Sequence, residues 1–82
     1  MRIVWDERKR IANVEKHGLD FADVTPDFFG KSAVRAAGRG RFQAIGLFDK
    51  GTISVIFSAL GKEAVSLVSM RPASRKERKL LS

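Results

Sequence analysis

The chain has 82 residues with a formal net charge of +7, and this length allows one small core and excludes a two-domain enzyme. Because 44% of the residues are hydrophobic, the composition argues against a disordered chain. Because the sequence has no cysteine and one histidine, it excludes disulfides and thiolate metal sites, and neither a structural metal nor a cofactor is expected. No apolar run approaches membrane-spanning length and no signal peptide opens the chain, so we expect a single cytoplasmic domain over residues 1–82, away from any membrane.

The beginning of the chain predicts a strand and a helix. Residues 3–5 are expected to form a short strand. Asp6 is suited to cap the helix that follows, and Gly18 is suited to end it, because glycine readily adopts the left-handed conformation of a C-cap. Ile11 and Val14 lie three residues apart, so both are expected on the buried side of this helix.

A second helical segment is predicted to begin at Asp20, which can cap it. Pro26 interrupts this segment, so we expect either a short helix or a restart in which Thr25 is the cap and Pro26 is the first helical residue. Residues 31–40 are rich in glycine and arginine and predict a loop.

The second half of the chain predicts an antiparallel meander. Three strands are expected, over residues 41–48, 53–58 and 64–70, and the middle one has a period of two. Glycine-containing turns at 49–51 and 61–63 separate them, and such short connections are typical of hairpins.

The end of the chain predicts a helix. Pro72 should end the last strand, because proline cannot donate to a sheet. Ser74 and Glu77 then form a capping box, which accounts for Glu77 without any further function. The order strand, helix, helix, three strands, helix predicts an α+β fold with a small antiparallel sheet and helices on one face. The expected core consists of Ile11, Val14, Phe21, Val24, Phe28, Val55, Phe57 and Leu67.

The excess positive charge lies in two segments. Residues 31–41 contain four basic residues and no acidic one, and residues 71–82 contain five basic residues and one acidic one. Brought together, these segments would form a surface that attracts phosphate. We therefore favour a polyanionic or acidic partner over charge kept for solubility, although charge alone does not choose among RNA, DNA and an acidic protein.

The residue types suit one reaction. The sequence has no phosphate-binding loop, no recognisable Ser-His-Asp set and no obvious pair of carboxylates for acid–base catalysis. RNA supplies its own nucleophile, the ribose 2′-hydroxyl, so arginine and lysine side chains can hold the phosphate and stabilise its developing charge. A histidine, a glutamate or a lysine can move the two protons, and the reaction requires no metal.

Four residues are candidates for a site. His17 can transfer protons or stack on a base, but the sequence favours its simpler role of ending the first helix. Trp5 can stack on a base or anchor the first strand while half-buried. Arg71 ends a strand just before Pro72, where a rigid sheet would hold an accessible side chain. Arg41 begins a strand and is expected to face the same region.

Motifs at both ends of the chain resemble the BrnT toxins. The opening motifs are Val4-Trp5-Asp6, Asn13, Lys16-His17-Gly18 and Asp20-Phe21-Ala22, with Ala44-Ile45-Gly46 further along. The closing motif is Ser69-Met70-Arg71-Pro72-Ala73, followed by Glu77-Arg78. The resemblance runs nearly end to end and is weakest over residues 30–40. The family motifs fall on Trp5, Lys16, His17, Arg41, Arg71 and Glu77. The chain departs from the family pattern at two positions. Many members carry an arginine where Ser66 stands here, and they carry an aromatic residue near Leu81.

The resemblance implies a RelE-like fold and the toxin half of a bacterial type II toxin–antitoxin pair. Such a toxin cleaves mRNA without a metal and arrests translation and growth. It also implies a BrnA-like antitoxin that binds and neutralises the toxin, commonly in a heterotetramer. The DNA-binding part of the complex would belong to the antitoxin. The pair would thereby repress its own operon, and the toxin would reach DNA only through the antitoxin.

The leading hypothesis is therefore a ribonuclease in which Arg71 and Arg41 bind the scissile phosphate and His17 assists in proton transfer. The residues expected to bind the RNA are Trp5, Lys16, Arg35, Arg39, Arg75 and Arg78. One alternative is a catalytically weak or inactive module whose basic surface faces nucleic acid and serves antitoxin binding and co-repression. A stand-alone nucleic-acid-binding domain is a weaker alternative, because the strands carry no aromatic–basic binding motif.

Overall fold

The structure is a computed structural model that describes residues 1–49 and 51–81. In chain order its elements are β1 (Arg2–Trp5), α1 (Glu7–His17), a 3₁₀ turn (Phe21–Asp23), α2 (Pro26–Gly30), β2 (Ala33–Gly38), β3 (Arg41–Phe48), β4 (Gly51–Leu60), β5 (Ala64–Pro72), α3 (Arg75–Arg78) and a final 3₁₀ turn (Lys79–Leu81). Among these residues no helix has the length and apolar character that crossing a bilayer requires. The turn predicted at 49–51 includes Lys50, which lies outside the described residues.

The strands form one sheet in the order β1-β5-β4-β3-β2. The four strands from β2 to β5 pair antiparallel, whereas β1 pairs parallel with β5 at one edge. Together with the short helices, this sheet confirms the predicted α+β class. The parallel pair was not predicted, because its two strands are far apart in the sequence and no turn signal connects them.

The prediction of a loop over residues 31–40 is wrong. Ala33–Gly38 form the edge strand β2, which pairs with β3. The chain reverses at Gly38, Arg39 and Gly40, whose φ angles of 83°, 58° and 74° are all positive. Glycine adopts such angles without strain, so this composition marks a tight turn between two strands. As an edge strand β2 is largely exposed, and it therefore lacks the apolar alternation from which strands are predicted.

The predicted helix caps are confirmed. Asp6 caps α1, and Gly18 ends it with a φ of 69°. Asp20 caps the first 3₁₀ turn, and Thr25 caps α2 with Pro26 at its start. Each signal depends only on neighbouring residues, which is why the sequence alone locates it.

The prediction that Ile11 and Val14 belong to the core is wrong, since they are 48% and 36% exposed. The buried side of α1 is marked instead by Asn13. Its Oδ1 accepts a hydrogen bond from the Met70 N–H at 3.0 Å, and its Nδ2 donates to the Leu19 carbonyl at 3.0 Å. The helix is therefore attached to β5 by a polar anchor, which a search for apolar periodicity does not detect.

The hydrophobic core lies between the sheet and the segment from α1 to α2. The other six residues predicted for the core are all part of it. Its buried members are Phe21, Val24, Phe28, Ala44, Ile53, Val55, Phe57, Val65, Leu67 and Met70. At Gly46 the sheet approaches α2 and the residues after it so closely that an added Cβ would lie 2.3 Å from Ser32 Oγ and 3.0 Å from Phe28 Cε1.

The prediction that the helices share one face of the sheet is wrong for α3. Gln43 and Ser54 alternate with the core residues Ala44 and Val55, so they point to the opposite face. Glu77 of α3 accepts a hydrogen bond from Gln43 on that face. The connection after β5 is short, and nothing in its sequence indicates which side of the sheet the last helix takes.

Candidate functional site

The sheet face that carries α3 bears arginines from four strands, namely Arg2 of β1, Arg35 of β2, Arg41 of β3 and Arg71 of β5. Directly paired residues of an antiparallel ladder share a face, and residues two apart along a strand share it too. The relevant pairs are Arg71 with Ser54, Arg41 with Ser58, and Arg35 with Gln43. The sheet face that carries Arg35, Arg41 and Arg71 is called the basic face below. Its guanidinium groups can bind phosphate oxygens, whereas the amide of Gln43 and the hydroxyl of Ser54 are buried beneath them.

Arg71 is held in place near the end of β5. Its Nη1 and Nη2 donate to the two carboxylate oxygens of Glu77 at 2.8 Å each, and Nη1 also donates to the Pro72 carbonyl at 3.1 Å. These bonds use three of the five N–H groups of the guanidinium, which leaves Nε–H and one Nη2 N–H. The side chain is 42% exposed. Arg71 is therefore both fixed by the protein and able to bind an anion from solvent.

Glu77 does more than cap α3. The capping box is confirmed, because the Ser74 N–H donates to Glu77 Oε1 at 2.9 Å and Ser74 Oγ accepts from the Glu77 N–H at 3.1 Å. The expectation that this role suffices is wrong, since the same carboxylate holds Arg71. The hydrogen bonds from Arg71, and then those from Ser74 and Gln43, lower the pKa of Glu77 far below its ordinary value, although burial opposes the shift. Glu77 is thus ionised and a weak proton acceptor.

Gln43 connects Glu77 to a second arginine. The Arg35 Nε donates to Gln43 Oε1 at 2.7 Å, while Gln43 Nε2 donates to Glu77 Oε2 at 2.7 Å and to Ser54 Oγ at 2.8 Å. Arg35 and Arg71 are therefore joined through one amide and one carboxylate. This network extends from β2 to α3 across the basic face.

Arg41 and Arg71 share a face, as expected, but they do not meet. Arg71 pairs with Ser54 and Arg41 pairs with Ser58, on opposite sides of β4. Strand geometry separates the two backbones by about 13 Å along β4 and about 10 Å across the sheet. These backbone positions give no support to the expectation that Arg41 and Arg71 bind the same phosphate.

Trp5, Lys16 and His17 belong to β1 and α1 and not to the strands that carry Arg35, Arg41 and Arg71. Trp5 is partly buried and packs against the hydrophobic core, which agrees with its predicted role as an anchor of the first strand. Lys16 and the half-buried His17 form the last turn of α1. One turn earlier, Asn13 bonds to the backbone N–H of Met70, so the end of α1 lies beside the end of β5.

The remaining predicted RNA-binding residues are exposed. Arg39 occupies the tip of the β2–β3 turn, and Arg75 and Arg78 lie on α3. Arg78 also lines a cleft whose acidic residues are Asp23, Asp27 and Asp49. Its surroundings thus differ in charge from those of Arg35, Arg41 and Arg71.

The basic face can bind phosphates and stabilise charge on their oxygens. Glu77 is the carboxylate that belongs to the hydrogen-bond network of this face, and both of its oxygens already accept hydrogen bonds. A reaction on this face would therefore need another residue as its proton acceptor. Over residues 1–49 and 51–81 no three side chains of a metal-binding type are close enough to share an ion.

Sequence reasoning missed Gln43 and Ser54. Both are buried, with exposed fractions of 6% and 1%, and their partners lie 8 to 34 residues away. One signal was available: each is a polar residue within a strand that is otherwise strongly apolar. A buried polar side chain requires a hydrogen-bond partner, and such positions therefore point to a network.

The comparisons with known proteins identify the family and support the fold. Residues 5–77 match the family model described as the ribonuclease toxin BrnT of type II toxin–antitoxin systems. The fold is similar to the 1.1 Å crystal structure of the ribonuclease toxin BrnT of Brucella abortus, with a TM-score of 0.87 and 49% sequence identity over 92% of this chain and 99% of the other. No curated protein matches the chain with significance. With nearly the whole chain matched, the protein belongs to the BrnT family of ribonuclease toxins of type II toxin–antitoxin systems.

Proposed function

We propose that this toxin is an endoribonuclease that cleaves mRNA in the cytoplasm without a metal and so arrests translation and growth. The observation that carries the proposal is the guanidinium of Arg71, which Glu77 fixes while 42% of its side chain stays exposed. A cation that is already oriented stabilises developing negative charge without further reorganisation. Arg71 is therefore assigned to the scissile phosphate.

The chemistry is an attack of the RNA on itself. The 2′-oxygen loses its proton and forms a bond to phosphorus, and the bond from phosphorus to the 5′-oxygen breaks. The products are a 2′,3′-cyclic phosphate and a 5′-hydroxyl, whose oxygen takes up a proton. Negative charge increases on the non-bridging oxygens during this step. The two N–H groups of Arg71 that remain available can donate to those oxygens.

His17 is proposed to assist in proton transfer, with Lys16 beside it. Histidine can accept or donate a proton near neutral pH. The anchor from Asn13 to Met70 supports this assignment, because it ties the helix that carries His17 to the strand that carries Arg71. Trp5, which is partly exposed, is proposed to contact a base of the RNA.

Arg41 is proposed to hold a phosphate that flanks the cleavage site. The separation of about 13 Å along the strand and about 10 Å across the sheet suits a position a few nucleotides from Arg71. Further contacts along the RNA backbone are assigned to Arg35, Arg39, Arg75 and Arg78.

The antitoxin is proposed to be a BrnA-like protein that forms a heterotetramer with the toxin. The net charge of +7 favours an acidic toxin-binding segment in this partner. The antitoxin would also supply the contacts to operon DNA through which the pair represses its own transcription.

The test is to induce the toxin without its antitoxin in a bacterial host and to map new RNA ends. The variant Arg71→Ala should abolish both the new ends and the growth arrest at an equal level of soluble protein. Arg8→Ala is the matched control, because it removes an exposed arginine from α1, away from the basic face. If Arg71→Ala still cleaves RNA like the unaltered protein, the assignment of Arg71 is wrong.

A different result would favour the second hypothesis. Intact RNA and normal growth after induction of the unaltered chain would indicate a module that binds antitoxin without cutting RNA. Ser66 would then be the first residue to replace by arginine.

A further inference from the structure

The amide of Gln43 occupies a central position beneath the basic face. It is 6% exposed, and its hydrogen bonds reach three different elements. The acceptor Oε1 faces Arg35 of β2, and the donor Nε2 faces Ser54 of β4 and Glu77 of α3. Gln43 is therefore the link between the Arg35 guanidinium and the carboxylate that holds Arg71.

Glutamine is suited to this position because it accepts on one side and donates on the other. A carboxylate here would accept from Arg35 but would repel the ionised Glu77 at 2.7 Å. An apolar side chain would leave Glu77 without one of its donors, and Arg35 would lose its acceptor. In both cases the two arginines would no longer be held relative to each other.

We propose that Gln43 is a positioning residue for RNA cleavage, which sets the relative placement of Arg35 and Arg71 by bridging Arg35 to Glu77. This inference rests on the proposed role of Arg71 at the scissile phosphate. Gln43 does not itself touch the RNA, since it is buried and its amide is engaged by protein groups. It acts by keeping Glu77, and through it Arg71, in one orientation.

The first variant is Gln43→Met, which keeps the volume and removes the hydrogen bonds. Single-turnover cleavage of a short unstructured RNA should slow by about 10- to 100-fold, because a small misplacement of a charge-stabilising group has an effect of this size. The KM should change by less than about threefold, since the exposed arginines still attract the strand. Ile53→Val, a mild core substitution on the opposite face, is the control for lowered stability and should keep the cleavage rate per folded molecule.

The second variant, Gln43→Glu, tests the hydrogen-bond pattern itself. Near pH 8 the new carboxylate should repel Glu77 and slow cleavage. When the pH falls toward 5.5, a proton shared by the two carboxylates restores a donor toward Glu77, while the other oxygen of residue 43 still accepts from Arg35. The rate relative to the unaltered protein should therefore rise as the pH falls. The same ratio for Gln43→Met should stay flat, and so should that for Ile53→Val.

The outcomes separate this inference from the proposed function. If Arg71→Ala is inactive but Gln43→Met cleaves normally per folded molecule, Gln43 has no positioning role. If Arg71→Ala cleaves normally, the proposed site itself is wrong. If Gln43→Met does not fold, Gln43→Glu decides the question. A cleavage rate, relative to the unaltered protein, that does not change with pH overturns the inference. A relative rate that rises as the pH falls supports it.

Discussion

Arg71 and Glu77 are joined by two parallel hydrogen bonds of 2.8 Å each, one from each terminal nitrogen of the guanidinium. This pairing determines what each residue can contribute. Arg71 is oriented before any RNA arrives, so little reorganisation is needed when charge develops on a phosphate. Glu77 has no unpaired carboxylate oxygen, and its lowered pKa makes it a poor general base. The proton acceptor in cleavage is therefore expected to be another group, for which His17 is proposed.

Replacing Glu77 by glutamine should weaken both folding and cleavage. The variant keeps the size of the side chain but removes the charge that orients Arg71 and accepts from Gln43. We expect the free energy of unfolding at pH 7 to fall by about 1–2 kcal/mol, because the lost hydrogen bonds involve charged groups and one partner is partly solvated. Urea denaturation measures this change. Asp27→Asn is the control: its ion pair with Lys31 is exposed and 3.7 Å long, so no measurable loss is expected.

The unaltered protein and the Glu77→Gln variant should also differ in how their stability depends on pH. Unfolded Glu77 takes up a proton near its ordinary pKa of 4.5, whereas the folded residue, whose pKa is lowered, stays ionised. The unfolded state then binds more protons, so the contribution of Glu77 is fully present above about pH 4.5 and is lost as the pH falls. The stability advantage of the unaltered protein over Glu77→Gln should shrink between pH 5 and pH 3. An advantage that stays constant over this range would contradict the assignment. Asp20, whose pKa is also lowered, is present in both proteins and cancels.

Ser66→Arg should strengthen RNA binding. Ser66 pairs with Ser58, which pairs with Arg41, so the three residues form one row across the basic face. An arginine there would stand about 10 Å from the Arg41 backbone and would add a cation for a further phosphate. We expect the Kd for single-stranded RNA at low salt to fall about fivefold, equivalent to about 1 kcal/mol. Ala59→Arg, which adds the same charge to the other face, should have less effect. Equal effects of the two variants would show that net charge alone is responsible.

Salt dependence can count the phosphate contacts. The association constant for RNA falls as the salt concentration rises. For single-stranded RNA, each arginine that neutralises a phosphate contributes about 0.7 to the magnitude of the slope in a plot of its logarithm against the logarithm of the salt concentration. An alanine variant of any backbone-binding arginine should lower the slope by about that amount, whereas Arg8→Ala should leave it unchanged. The variants to measure by fluorescence anisotropy are those of Arg35, Arg39, Arg41, Arg75 and Arg78. A residue whose replacement preserves the slope does not contact phosphate.

Gly46→Ala should destabilise the contact between β3 and α2. The new Cβ would lie 2.3 Å from Ser32 Oγ and 3.0 Å from Phe28 Cε1. The hydroxyl must give up its 2.6 Å hydrogen bond to the Phe28 carbonyl to make room. We expect a loss of about 1–3 kcal/mol in thermal or urea unfolding. Ser32→Ala in the same background should recover part of it, and a Gly46→Ala protein of unchanged stability would contradict the close approach.

The success of the sequence predictions follows from the range over which each signal acts. The caps at Asp6, Gly18 and Ser74 depend on neighbouring residues and are confirmed. The hairpins from β3 to β5 depend on short turns and are confirmed too, apart from Lys50, which is not described. The motifs at the two ends were sufficient to predict the family, because they carry residue identities that composition does not.

Only the tertiary structure shows which residues that are far apart in the chain interact with one another. The sequence by itself determined the α+β class, the basic character and most of the core, since these follow from local propensity, charge and apolar periodicity. It did not determine that Glu77, Gln43 and Arg35 form one network with Arg71, nor that Arg41 stands apart from it. Those relationships depend on strand register and on the face that α3 covers. Both result from packing among all the elements at once, which no local stretch of sequence encodes.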